Sequence, residues 1–201
     1  MYDLSCYDRD FSISAGDEAR RMSEWWMPLL RKTLPFDNFI DIGCGEGWYV
    51  DWCEMRDITA VGIDGSEAAV ERARELNSDI RVMLLDIRKA QSFQWPGKWD
   101  LAMCFEVAEH IEAEYADRLV GLMTSAAPVV VMTAATPGQG GLQHVNEQPR
   151  EYWHKKMAAR GFAHWPEKLK VLLDGIERAV ENGEYVTPWL AKNLEVYRRA
   201  R

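Results

Sequence analysis

The sequence predicts an α/β fold built on a doubly wound, mostly parallel sheet. Three observations lead there. Short, almost continuous apolar runs suit strands that are buried on both faces. Helix-like segments alternate with those runs. A glycine-rich turn, Asp41-Ile42-Gly43-Cys44-Gly45-Glu46-Gly47, stands directly after the first run. The 201 residues are 47% hydrophobic, which suits one domain with a full core rather than two independent ones.

The elements follow in order. The first ~15 residues read as polar and irregular. A helical pattern begins at Asp17, with Ala19, Met22, Trp26, Leu29 and Leu30 on one face and Asp17 or Ser14 as its cap. Pro28 lacks the amide that the helical ladder needs and is expected to kink or restart this helix. Strands are expected over Phe39–Ile42, Ile58–Ile63, Ile80–Leu85, Trp99–Phe105 and Val129–Met132. Helices are expected over Trp48–Met55, Ser66–Leu76, Glu112–Ser125, Arg150–Arg160 and Lys168–Val180. Asn193–Tyr197 fits a last strand or a further helical turn.

Composition narrows the partners. Lys and Arg total 24 against 32 Asp and Glu, a formal charge of -8. An acidic surface repels phosphate backbones, so nucleic acid is a disfavoured partner. The acidic N-terminal stretch excludes an ordinary signal peptide, and no run approaches the ~20 apolar residues of a membrane span. Cys6, Cys44, Cys53 and Cys104 show no CxxC or disulfide-framework spacing, which reads as reduced, structural thiols in a cytosolic protein. Of the nine Trp, most are expected in the core and a few in a substrate pocket.

Ligands of such sheets bind outside the carboxyl ends of the strands, where strand order reverses. The turn Asp41-x-Gly43-x-Gly45-x-Gly47 sits at such an end, before a helix N-terminus with free amides. A dinucleotide fingerprint wants a third glycine where Trp48 stands; here it comes one residue early, at Gly47. This form resembles motif I of class I methyltransferases. The second strand ends at Asp64, the third at Asp86-Ile87 and the fourth at Phe105-Glu106-Val107-Ala108-Glu109-His110-Ile111, in the order that family follows. The resemblance covers about Leu34 to Val131 well and the rest loosely.

The resemblance implies a seven-stranded, Rossmann-like methyltransferase fold with an N-terminal helix and a C-terminal helical insertion. It implies S-adenosylmethionine (SAM) as cofactor and a single domain over 1–201. That domain divides into an N-terminal cap segment (1–34), a SAM-binding core (35–133) and a substrate-side loop with C-terminal elements (134–201). Asp41, Gly43 and Gly45 would surround the methionine moiety, and Asp64, with Gly65 and Ser66 beside it, would hold the ribose. Asp86 and Ile87 would meet the adenine, and Phe105 would flank the sulfonium.

Glu106-x-x-Glu109-His110 is similar to a segment that holds a divalent metal in ubiquinone-type O-methyltransferases and small-RNA 2′-O-methyltransferases. Glu106, Glu109, His110 and His144 are therefore candidate metal ligands. Many relatives with Glu-His here use no metal. The catalytic alternative makes His110 or His144 the general base for a substrate hydroxyl, beside Glu106. The Gly-rich segment from Thr136 to Glu147 leaves the carboxyl edge of the sheet and is the leading substrate lid. Among Tyr152, Trp153 and His154, Trp153 is expected in the core and one aromatic over the substrate. His164 has no motif around it and reads as an ordinary surface or core histidine.

The expected chemistry is methyl transfer to a small-molecule, lipid or sugar acceptor at oxygen or nitrogen. The Asn/Asp-Pro-Pro-Tyr element of amino-methylating DNA enzymes is absent after the fourth strand. Three rivals stay open: an NAD(P)-dependent reductase, another SAM-type enzyme such as an aminopropyltransferase, and a catalytically silent SAM-binding or scaffold module.

Overall fold

The computed structural model describes residues 9–89, 95 and 97–200, with side chains from residue 15 onward. Cys6 lies outside the described residues. Seven strands form one sheet in the order β3-β2-β1-β4-β5-β7-β6. They are β1 (Asn38–Ile42), β2 (Thr59–Asp64), β3 (Val82–Leu84), β4 (Leu101–Cys104), β5 (Val129–Thr133), β6 (Phe162–His164) and β7 (Leu194–Arg199). The first five pair in parallel, and β7 is antiparallel to both β5 and β6. The helices are α1 (Arg9–Thr33), α2 (Trp48–Glu54), α3 (Glu67–Leu76), α4 (Ala116–Ala126), α5 (Arg150–Ala159), α6 (Pro166–Glu181) and the single turn α7 (Leu190–Asn193). The helical insertion is α6, between β6 and β7.

Residues along each strand alternate between two cores. Phe39, Ala60, Leu101, Met103, Val131 and Val196 face the layer that α1, α2 and α6 cover. Ile40, Val61, Ala102, Cys104, Val130 and Tyr197 face α4 and α5. This two-sided burial explains why the strands read as continuous apolar runs. Trp26 and Trp153 are fully buried, one in each core, as the core reading of Trp153 expects.

Three expectations are corrected. The first helix starts at Arg9 rather than Asp17, so Ser14 and Asp17 lie inside it and neither caps it. Extending a formed helix costs little, so a stretch without a clear helical pattern can continue it. Of the two outcomes expected at Pro28, a restart does not occur, since α1 runs through it. Pro28 lies on the exposed side with Glu24, so the carbonyl that loses its partner is on the solvent side rather than in the core. The tail forms both alternatives in turn: a one-turn helix to Asn193, then strand β7. The expected helix from Glu112 opens as a 3-10 turn, Ala113–Tyr115, before α4.

Among the described residues Cys44, Cys53 and Cys104 are buried and unbridged, and burial pushes each thiol up. No described helix is long and apolar enough to cross a membrane.

Candidate functional site

Strand order reverses between β1 and β4, and a cavity of about 560 Å³ opens at the carboxyl ends of the strands there. The stretch of α1 from Ala15 to Met22 forms one wall. The glycine turn after β1 and the ends of β2 and β4 form the floor, and loop residues Gln139 to His144 with Trp189 close the far side.

The turn after β1 is tied to β2 by Gly43 and Cys44, whose amides donate to the Ile63 carbonyl at 2.8 and 3.0 Å. Gly43 and Gly45 both have positive φ, 80° and 54°. A Cβ at Gly43 would stand 2.1 Å from Val107 Cγ2, whereas one at Gly45 would meet nothing within 4 Å. The first glycine thus serves packing, and the second leaves backbone open to a ligand.

Asp64 braces the turn. Its Oδ2 accepts from the Gly45 amide and its Oδ1 from the Ser66 amide, both at 2.8 Å. Burial raises its carboxyl, against the lowering effect of these amides. Each oxygen retains a lone pair for a further donor. Asp41 is 2% exposed and its Oδ2 has no hydrogen-bond partner. Burial first, and the nearby Asp64 charge second, push its carboxyl up to about 8. Across the floor, Asp86 accepts from Arg88 Nε at 2.9 Å and Nη2 at 3.1 Å. Burial raises the Asp86 carboxyl, but these bonds outweigh it and hold the group below its ordinary value.

The other end of the cavity belongs to the segment after β4. Phe105 packs between Trp26 and Tyr49, with ring centroids 5.4 and 6.4 Å away. Glu106 has φ 54°; its amide donates to Thr133 Oγ1 and its Oε1 accepts from the same hydroxyl, each at 2.8 Å. Glu109 is fully buried, its Oε1 accepts from the Ala135 amide at 3.2 Å, and its Oε2 has no partner. Burial and then the Glu106 charge push Glu109 up to about 8.

His110 and His144 meet edge to face, 4.9 Å between ring centroids. Nδ1 of His110 lies 3.2 Å from the Gln143 carbonyl, and Nδ1 of His144 lies 2.9 Å from Glu147 Oε1. A carbonyl only accepts, so Nδ1 is the protonated nitrogen of a neutral His110. Burial, then the His144 charge, lower His110 to about 4.

All the residues expected around the cofactor line this one cavity: Asp41, Gly43, Gly45, Asp64, Gly65, Ser66, Asp86, Ile87 and Phe105. Glu106, His110 and His144 line it too, from the side of the expected lid. Of the four candidate metal ligands, donor atoms of Glu109, His110 and His144 lie within 4.8 Å of one another. Glu106 is not in that group, because its carboxylate turns to Thr133. Neither Tyr152 nor Trp153 nor His154 lines the cavity. The expectation that one of them covers it is therefore corrected: Trp153 and Met157 set the inner face of α5 and point it at the sheet.

Sequence reading gave no role to Glu147, which orients His144, or to Glu46. The latter is buried beside the cavity, 3.4 Å from Arg72 Nε and 3.0 Å from Trp48 Nε1. Its place inside the glycine motif was the available signal. Trp189 is one tryptophan that does reach the cavity.

Residues 14–165 match the methyltransferase domain family. The ubiquinone biosynthesis O-methyltransferase of Pseudomonas putida (strain GB-1) is 32% identical over 108 residues, covering 52% of this chain and 46% of that protein. The enzyme of the same name from Pseudomonas aeruginosa (strain LESB58) is 36% identical over 84 residues, 40% of this chain and 36% of that one. The matched stretch spans about half the length of these relatives or less.

Among solved structures, a sugar N-methyltransferase from Streptoalloteichus sp ATCC 53650 superposes with TM-score 0.66 at 16% identity, covering 95% of this chain and 92% of that one. Magnesium protoporphyrin IX methyltransferase from Synechocystis PCC 6803, with bound S-adenosylhomocysteine, gives 0.61 at 17% identity over 94% and 86%. At such identities the likeness is one of fold. Seven strands in this order, a glycine turn and acidic strand ends around one cavity, and a family match over most of the chain agree: this protein belongs to the class I, SAM-dependent methyltransferase family.

Proposed function

We propose that the chain transfers a methyl group from SAM to an oxygen or nitrogen of a small-molecule acceptor. The observation that carries this reading is the two-ended cavity, with a glycine turn and carboxylates at one end and an oriented imidazole at the other. The cofactor end fits SAM in its donor set. The unpartnered Asp41 Oδ2 suits a hydrogen-bond donor at the methionine end, and Asp64 retains acceptor capacity for ribose hydroxyls. When bound, SAM supplies a sulfonium-activated methyl group.

The protein's part is then positioning, which can be worth roughly 7–11 kcal/mol in a well-oriented reaction. Phe105 would keep water from the region between the two ends. His144 is the assigned base for an oxygen acceptor, because Glu147 holds its Nδ1 and thereby aims its other nitrogen. His110 supports the His144 ring from the side, and Glu106 would take a hydrogen bond from the acceptor. The acceptor approaches past the segment from Gln139 to His144, and an acidic chain suits a sugar, lipid intermediate or other small molecule better than a polyanion.

A second reading places a divalent cation on Glu109, His110 and His144. It is supported by the unpartnered Glu109 Oε2 and by the acceptors that hold Nδ1 of both histidines, a common arrangement behind metal-ligating imidazoles. Such an ion would polarise an acceptor oxygen. Metal content and sensitivity of turnover to chelation separate the two readings: full activity in metal-free protein eliminates the second.

Calorimetric titration with SAM, S-adenosylhomocysteine and NADH tests the cofactor. SAM and its product are expected to bind, and NADH binding without SAM binding would overturn the proposal. Labelled SAM incubated with sugar, amine and phenol acceptors tests the transfer. Incorporation that survives intact in His144→Ala would remove that residue from the mechanism.

A further inference from the structure

A second group of chemically capable side chains lies outside the cavity, on the antiparallel edge of the sheet. The register of β6 and β7 sets His164 opposite Tyr197. Glu195 is two residues before Tyr197 and so projects from the same face. Helix α5 packs over that face through Trp153 and Met157, which brings His154 onto the same spot. Nε2 of His154 lies 3.2 Å and Nε2 of His164 lies 2.9 Å from one oxygen, Oε2 of Glu195. The two imidazoles stack with centroids 4.7 Å apart, and donor atoms of all three residues lie within 4.8 Å of one another.

Charge neutralisation alone does not explain this arrangement. Arg150 already serves the buried Glu195 carboxylate, donating from Nη1 to the other oxygen, Oε1, at 2.7 Å. Nε2 of His154 is within hydrogen-bonding reach of Oε2, and the buried Nε2 of His164 crowds the same oxygen at 2.9 Å, so two imidazoles compete for one acceptor. Donor atoms about 2 Å from a tetrahedral ion stand roughly 3.3 Å apart. The two separations from Oε2 are near that spacing. Two imidazoles with one carboxylate suit zinc-class ions rather than magnesium or calcium. A carboxylate ligand whose second oxygen is held by a hydrogen bond is also usual around such ions.

We propose that His154, His164 and Glu195 form a zinc-class divalent-metal site, separate from the methyltransferase cavity, that fastens α5 to β6 and β7. Water completes the coordination, since each imidazole side chain is about one-third exposed even though Nε2 of His164 itself is covered. The role is structural: α5 directly follows the loop that bounds the cavity, so the ion anchors that loop's far end. This inference does not rest on the methyl-transfer reading.

The test uses the full chain stripped by chelator and then titrated with Zn²⁺ or Co²⁺. Histidine-ring NMR of the wild-type protein is expected to show the Nε2 resonances of His154 and His164 shifting together within the first equivalents of Zn²⁺. Co²⁺ is expected to give the visible absorption of a four-coordinate ion. Metal should raise the melting temperature by several degrees. Elemental analysis should find one bound ion lost in the His154→Ala/His164→Ala double variant and kept in His144→Ala. The proposal is overturned if the two rings do not respond to Zn²⁺, or if the bound ion is lost with His144 instead. The ring NMR needs no variant, so it decides the matter even where the double variant fails to fold.

Discussion

Asp41→Asn should make the protein more stable at neutral pH while leaving it nearly unchanged in acid. Burial first, and the Asp64 charge second, move the Asp41 carboxyl from 3.8 to about 8, so it is protonated in the folded protein at pH 7. Between those values the unfolded chain has released this proton and the folded chain still holds it. The unfolded state therefore binds fewer protons, and stability falls as pH rises through the window. One proton corresponds to about 1.4 kcal/mol per pH unit. From about pH 5 to about pH 7, the wild type should lose roughly 3 kcal/mol relative to Asp41→Asn, in which nothing titrates at this position. Urea denaturation of both proteins at both pH values measures the difference, and the dependence contributed by Glu109 cancels because both proteins carry it. A gap between the two proteins that stays constant with pH would mean that Asp41 is ionised when folded, and the burial argument would fail.

Other expectations concern the turn, the base and the core. Asp64→Ala removes the acceptor for the Gly45 and Ser66 amides, and calorimetry should show at least a tenfold loss of SAM affinity, about 1.4 kcal/mol. Gly43→Ala combines a positive φ with a Cβ 2.1 Å from Val107 Cγ2; urea denaturation should register a loss of about 1–3 kcal/mol. His144→Ala should lower kcat for an oxygen acceptor by about 10²–10⁴ and leave SAM affinity unchanged, as steady-state kinetics beside calorimetry would show. Trp26→Ala empties a fully buried position between α1 and Phe105 and should cost about 3–5 kcal/mol of unfolding free energy.

The parallel strands were legible because burial on both faces of the central ones keeps their sequences almost wholly apolar, Asp41 being the exception inside β1. The cofactor end of the site was legible for a related reason: its residues sit in sequence order at successive strand ends. Strand β6 escaped notice because Phe162–His164 is three residues long, too short for any alternation to register. The start of α1 escaped because Phe11-Ser12-Ile13-Ser14-Ala15 alternates with a period of two and hides the helical period that is plain from Ala19 onward. Glu147 and the His154–His164–Glu195 group escaped for a deeper reason. Glu147 meets its partners through the closure of an irregular loop, and antiparallel register and helix packing bring His154 and His164 to Glu195; neither follows a spacing rule. Spacing also misled at Glu106, which stands one helical turn before Glu109 and His110 in the chain. Its left-handed backbone sends the carboxylate to Thr133 instead.

The Glu147 carboxylate has a mechanical meaning beyond orienting an imidazole. It accepts from the Gly138 amide at 2.7 Å, the Gly140 amide at 2.6 Å and His144 Nδ1 at 2.9 Å, so both ends of a glycine-rich arc are tied to one side chain. On the proposed reading, an arc clasped in this way would give up little further chain entropy on acceptor binding. The same bonds tie the arc into one unit between Thr136, where it leaves the sheet, and Pro149, where it enters α5. The glycines then allow the arc to be folded tightly rather than to flap. Loosening the clasp with Glu147→Ala would turn a clasped arc into a slack ribbon, and acceptor binding would bear that ordering cost at every turnover.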